Sequence, residues 1–249
     1  MRTLRLLSVF SLLLAGCADD NPDEPSWSYE GDTGPDRWGE LSEDWAVCGE
    51  GQAQSPIDLD SALVMEDVNE YGFTNAGTVV NIYNNGHTIL YGVDAGNTVA
   101  IDGVDYELLQ FHFHAGSEHT VDTVGYPMEV HFVHSDVDGN LAVLGVFIEE
   151  GAENPTLAGA LWDSIPAEVY ETVDDATVTC DPYELIPGGV VWKYDGSLTT
   201  PPCSEGVNWN VFMTPITMSA AQMDAFTALY ANNYRPVQPL NDRTVTFGE

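Results

Sequence analysis

Positive charge is almost missing from this chain: 6 lysine and arginine residues stand against 40 aspartates and glutamates among 249, a formal net charge of −34 with histidine neutral. Lys193 is the only lysine. So acidic a surface repels phosphate backbones and anionic lipid headgroups, which excludes nucleic acid as a partner. Long apolar runs are missing too. The run near the N-terminus, "LLSVFSLLLAG" at residues 6–16, is too short to span a bilayer. Internal repeats and a second linker are also lacking, which leaves one domain as the simplest organisation. Histidine is scarce, with six in all, yet three of them fall within "QFHFHAGSEH" at 110–119.

What is present at the N-terminus reads as targeting. Arg2 and Arg5 precede the apolar run, and "LAGC" ends it at Cys17, the layout of a secretory signal over residues 1–16. That ending resembles a bacterial lipobox, which would make Cys17 the lipidated first residue of an exported chain; an ordinary signal peptide is the plainer alternative. Ala18 after Cys17 favours an outer-membrane over an inner-membrane destination. The expected location is thus lipid-anchored at the cell envelope, on its periplasmic or outer-membrane face, with secretion as the alternative. The anchor would be the only membrane contact. Residues 17–26 form an acidic, proline-bearing tether, and residues 27–249 suffice for one domain with a real core. Without the signal, 4 cationic residues face 40 acidic ones, a net charge of −36. Self-repulsion of that size is screened by salt, so a salt-rich, halophilic setting is expected. Cys48, Cys180 and Cys203 remain, an odd number that suggests one disulfide and one buried thiol.

Alternating and β-branched runs dominate the domain: "TVVNIYN" at 78–84, "ELLQFHFH" at 107–114, "MEVHFVHS" at 128–135, "NLAVLGVFIE" at 140–149 and "VNWNVFM" at 207–213. Turn residues such as "NNGH", "DGN" and "PGG" separate them. Two helices are predicted. "NPTLAGALWDSI" at 154–165 offers Asn154 as cap and Pro155 in the first turn, and "SAAQMDAFTALYA" at 219–231 offers Ser219 and Gln222 as a capping box. The fold class is mostly β, or α+β: a single domain around a twisted, mainly antiparallel sheet with a few short peripheral helices.

Residues two apart on a strand share a face, so His112 and His114 project together while Phe111 and Phe113 turn to the opposite one. On "MEVHFVH", Glu129, His131 and Val133 share a face and His134 takes the other. If the two faces meet, His112, His114 and His131 converge. Three neutral imidazoles on rigid strands suit Zn2+ and leave a fourth position open, the arrangement of a catalytic site. Spacing alone favours a metal site, with ordinary core or surface histidines as the alternative.

"WSYEG", "QSPIDL", "NNGHT", "QFHFHAGSEHT", "MEVHFVH", "LAVLGVFIE", "SLTTPPCSEGVNW" and "RPVQPLNDR" follow one another in an order that resembles the α-class carbonic anhydrases, from residue 27 to about residue 247. The resemblance implies that His112, His114 and His131 are zinc ligands. It implies that Gln110 and Glu129 accept the outer N–H of His112 and His131, with a backbone carbonyl near Asp242 serving the third ring. The implied reaction is reversible hydration of carbon dioxide to bicarbonate and a proton by attack of a zinc-bound hydroxide. Thr199 would orient that hydroxide and donate to Glu118, and Thr200 would lie beside bicarbonate. Val133, Val143, Leu198, Val207 and Trp209 would form an apolar wall for carbon dioxide, and each is otherwise simply a core residue. His87 would shuttle the released proton, with Tyr29 and Asn85 ordering the waters on its path. Cys48 and Cys203 match a disulfide of exported members; Cys180 has no matching partner and reads as a buried apolar thiol, with an intermolecular disulfide as the alternative. His119 matches a buried structural histidine. The resemblance allows a homodimer, although no interface signal stands in the sequence. Leu90 and Asp195 depart from common family residues at the pocket rim. A non-catalytic zinc-binding or adhesion lipoprotein on the same scaffold is the rival reading.

Overall fold

The β-branched and aromatic runs form strands where the sequence places them. The computed structural model describes residues 25–62, 71–76 and 78–248. The signal, Cys17 and most of the tether lie outside the described residues. The first six strands are β1 (Asp58–Leu59), β2 (Tyr71–Thr74), β3 (Thr78–Asn84), β4 (Ile89–Val93), β5 (Thr98–Ile101) and β6 (Val104–Ala115). After them come β7 (Thr120–Val121), β8 (Val124–Gly125), β9 (Met128–Ser135) and β10 (Leu141–Glu150). The last four are β11 (Thr172–Cys180), β12 (Val191–Ser197), β13 (Glu205–Met218) and β14 (Thr246–Gly248). One large sheet runs β11-β3-β4-β6-β9-β10-β13-β12-β14, with β5 and then β2 added beside β6. Its pairings are antiparallel except β10 with β13. Parallel neighbours cannot be joined by a tight hairpin, and here the chain from 151 to 204 makes the crossover.

The centre of the sheet is buried on both faces. Phe111, Phe113, Val130, Phe132, Val146 and Ile148 belong to the larger core on one side. Val133, Val143, Phe147, Val207 and Trp209 pack in a second cluster on the other. Both faces of β9 are therefore filled, and its odd-numbered positions are directed away from the larger core.

Strand β6 does not alternate simply. Tyr106 and Leu108 belong to the larger core, as do Phe111 and Phe113, so the parity of inward residues changes along the strand. A register shift between Leu108 and Gln110 accounts for it. The extra residue rephases the strand, and without it Gln110, His112 and His114 would point into the hydrophobic core.

The helix over 220–227 begins at Ser219 with the predicted capping box: Ser219 accepts from Gln222 N–H, and Gln222 reaches back to Ser219 N–H. The helix predicted from Asn154 is shorter than expected. Asn154 Oδ1 accepts from Thr156 and Leu157 N–H and closes a turn, and the helix itself is only Ala160–Asp163. Gly159 intervenes with φ of 66°, a left-handed conformation that interrupts the helical path.

Candidate metal centre

His112 and His131 are direct cross-strand partners of β6 and β9, and His114 lies two residues further along β6. One ligand atom from each ring can be chosen so that all lie within 4.8 Å of one another. The adjacent strands thus bring the three sequence-predicted ligands together.

The second ring nitrogen of each histidine is engaged elsewhere. His112 Nδ1 donates to Gln110 Oε1 at 2.8 Å, His114 Nδ1 to the Asn233 carbonyl at 2.7 Å, and His131 Nε2 to Glu129 Oε1 at 2.9 Å. These partners fix the tautomers and turn one unprotonated nitrogen of each ring inward. Burial lowers the pKa of all three rings, that of His114 to about 4, so they are neutral near pH 7. His114 Nε2 is buried and has no hydrogen-bond partner. A buried lone pair left without a donor, in a set of three neutral imidazoles, fits a divalent metal of the zinc kind.

The third partner differs from the sequence expectation. It is Asn233, and Asp242 is exposed on a turn. Asn233 is held on every side: its Oδ1 accepts from Ala115 N–H at 2.7 Å, and its Nδ2 donates to His87 O and Phe113 O at 3.1 and 3.2 Å. Only a residue locked to β6 in this way can aim a carbonyl at His114. The "NNYRP" stretch containing it carries no local signal of that role.

Glu129 binds more than His131. Oε1 accepts from His131 and His119, and Oε2 accepts from the backbone N–H of Glu118 and His119. Burial opposes its ionisation, but the two histidines outweigh it and hold the carboxyl well below the usual range. Gly145 lies opposite His131 on β10, and a Cβ there would come within 3.0 Å of Glu129 Oε1. His119 passes the network on, its Nε2 accepting from Tyr194 Oη at 2.6 Å, with Tyr194 2.9 Å from Ser55 Oγ. His119, Glu129 and His131 could also be grouped as metal donors, but their atoms already satisfy one another. His134 faces the larger core, held by Phe132 O and Tyr183 Oη.

Glu118 is buried beside the histidines, with Oε1 3.6 Å from His114 Nδ1 and Oε2 3.9 Å from His131 Nδ1. Burial pushes its pKa up to about 7 against opposing pulls from His131, the Arg235 N–H and Thr199. Oε1 accepts that N–H at 2.8 Å. Oε2 is buried without a hydrogen-bond partner. Val133, Val143, Val207 and Trp209 are buried in one cluster with partly exposed Leu198. Val143 pairs with both Val133 and Trp209, and the Trp209 ring lies 4.9 Å from the His131 ring. Thr199 is buried, Thr200 is half-buried, and both precede Cys203. Cys203 is bonded to Cys48 with a Cα–Cα distance of 5.1 Å. Cys180 is free, and burial pushes its thiol up to about 12.

His87 sits on the turn after β3. Asn85 Oδ1 accepts from the N–H of His87 and Thr88 at 2.9 and 2.7 Å and shapes that turn. The His87 ring stacks on Trp27 at 3.7 Å with planes 7° apart, and burial lowers its pKa to about 4. Tyr29 packs edge-on against Trp27 and Trp38. Leu90 pairs with His112 across the strands.

The family model described as eukaryotic-type carbonic anhydrase matches residues 33–249. A carbonic anhydrase of Pectobacterium atrosepticum is 42% identical over 94% of this chain and 96% of its own length. One from Nostoc is 44% identical over 88% and 85%. The solved α-carbonic anhydrase of Thermovibrio ammonificans, bound to the inhibitor sulfanilamide, superposes with a TM-score of 0.85 at 44% identity, over 89% of this chain and 99% of its own. A fold and sequence shared over this length define a class. The chain belongs to the carbonic anhydrase family and is an enzyme of carbon dioxide hydration.

Proposed function

We propose that His112, His114 and His131 hold a zinc ion and that carbon dioxide is hydrated beside it. The buried, unpartnered Nε2 of His114, in a triad whose outer nitrogens are all engaged, carries this reading. When bound, zinc supplies a nucleophile near neutral pH by lowering the pKa of a water to roughly 7, the effect for which carbonic anhydrases are the standard example. Thr199 orients the attacking oxygen by accepting its proton in a hydrogen bond and donating its own hydroxyl to Glu118. Val133, Val143, Leu198, Val207 and Trp209 offer carbon dioxide an apolar surface that competes poorly for water, and Thr200 borders the product. The oxygen–carbon bond forms as one C=O electron pair moves onto oxygen, and bicarbonate leaves.

His87 takes the proton released in each cycle and passes it to buffer, with Tyr29 and Asn85 beside the route. Burial lowers the basicity of this ring where it stacks on Trp27, and more solvent around it raises its proton affinity towards the ordinary histidine value. Export through the N-terminal signal, lipid attachment at Cys17 and adaptation to salt complete the proposal; a homodimer is compatible with it. The rival, a non-catalytic zinc-binding or adhesion protein, is disfavoured by Glu118 beside the triad and by Thr199 acting on Glu118. Stopped-flow carbon dioxide hydration with and without a zinc chelator tests the proposal. Sulfonamide-sensitive hydration that the chelator abolishes supports it, and a zinc-loaded protein without such activity refutes it.

A further inference from the structure

Arg235 is an unusual cation. It is buried in a chain that has 40 carboxylates, yet its guanidinium hydrogen bonds go to neutral oxygens. Nη1 donates to Gln54 Oε1 at 2.9 Å and to Ser55 O at 2.8 Å, and Nη2 donates to Cys48 O at 2.7 Å. Trp38 lies beneath it, 5.7 Å from ring centroid to guanidinium carbon. Gln54 in turn donates from Nε2 to Cys203 O at 3.1 Å and to Glu205 Oε1 at 3.1 Å. The fork therefore grips one half of the Cys48–Cys203 bridge directly and the other through Gln54. The backbone N–H of the same residue is the one that holds Glu118 Oε1 at 2.8 Å. Burying a charge is costly unless hydrogen bonds replace its lost solvation, and the bonds made here also hold the residue whose peptide N–H meets Glu118.

We propose that Gln54 and Arg235 are positioning residues that carry the constraint of the Cys48–Cys203 disulfide to Glu118, and so to Thr199. The disulfide then tunes catalysis through a hydrogen-bond relay, separately from its effect on stability. This rests on the roles of Glu118 and Thr199 proposed above. A rigid Glu118 keeps Thr199 donating in one direction, which orients the nucleophile and disfavours anions that cannot donate to Thr199. Breaking the relay at any point should loosen Glu118 and weaken both functions.

A double-perturbation cycle tests this, because elements of one relay are not additive whereas independent structural losses are. The proteins are wild type, Gln54→Met, the Cys48→Ser/Cys203→Ser double variant and their combination, with reduced wild type as a mutation-free comparison. Each is assayed zinc-loaded for kcat/KM and for chloride inhibition. Exchange of the Arg235 amide is followed in the metal-free proteins. Each single perturbation should lower kcat/KM about tenfold, make chloride several-fold more inhibitory and speed Arg235 amide exchange about tenfold. The combination should be no worse than either alone, and reduced wild type should match the serine variant. Multiplicative losses near a hundredfold, or an Arg235 amide unchanged in Gln54→Met, overturn the relay. Thr199→Ala separates the two levels: unchanged kcat/KM in that variant refutes the assigned role of Thr199, while the amide exchange still decides whether Gln54 and the disulfide hold Glu118.

Discussion

Asn233→Ala removes a side chain that stitches three segments together, and its cost can be worked from the partners. Ala115 N–H loses its acceptor at 2.7 Å, and His87 O loses its donor at 3.1 Å. Phe113 O also loses a donor, but it keeps Thr88 Oγ1 at 2.7 Å. Two backbone groups are thus left without these partners, at about 1–3 kcal/mol for a fully buried one. Because His87 O is nearer the surface, we expect a total of about 2–4 kcal/mol, which lowers Tm by roughly 5–15 °C for a domain of this size. The backbone carbonyl that serves His114 survives the change, but its aim does not. Loss of such outer-shell orientation typically weakens metal affinity about 10–100-fold. Urea unfolding of the metal-free protein and chelator competition for zinc measure the two effects separately. A variant that melts within a degree of wild type and holds zinc as tightly would refute the assignment of Asn233 as the anchor of the third ligand.

Other consequences follow from charge and burial. His134 has its pKa lowered by burial to about 3, below its unfolded value, so the unfolded state binds the extra proton and stability falls as pH drops below about 6.5. Near pH 4.5 this amounts to roughly 2–3 kcal/mol, and urea unfolding of metal-free His134→Gln should show a shallower loss between pH 6.5 and 4.5 than wild type; parallel curves would contradict this. His87→Ala should slow turnover in dilute buffer and be rescued by imidazole, and unchanged turnover there would remove His87 from the proton path. The acidic surface predicts a Tm that rises between low salt and molar NaCl, measured by calorimetry, with a flat response counting against adaptation to salt.

The sequence was most informative where one local rule governs the outcome. Period-two alternation located β3 and β9 at their observed bounds, and the Ser219 capping box gave the start of its helix. That His112 and His114 share a face, and His131 shares one with Glu129, was legible for the same reason, whereas the pairing of His112 with His131 rests on the register of β6 against β9. The bulge at Leu108–Gln110 was not legible, because it depends on register against β9 and on which face meets the core. Asn233 and Arg235 were missed on similar grounds. Their partners lie more than 100 positions away in the chain, and neither residue type carries a local pattern for the role. At 154–165 a good cap and proline suggested a helix that Gly159 interrupts.

The central claim is that three strand histidines and a metal make this domain a carbon dioxide hydratase. Stopped-flow hydration on chelator-stripped protein, before and after one equivalent of Zn2+, tests it most directly. Hydration should be negligible without metal, recover fully at one zinc per chain, and fail to recover in His131→Ala. Hydration that persists in the stripped protein, or a wild type that binds one zinc and stays inactive, would contradict it.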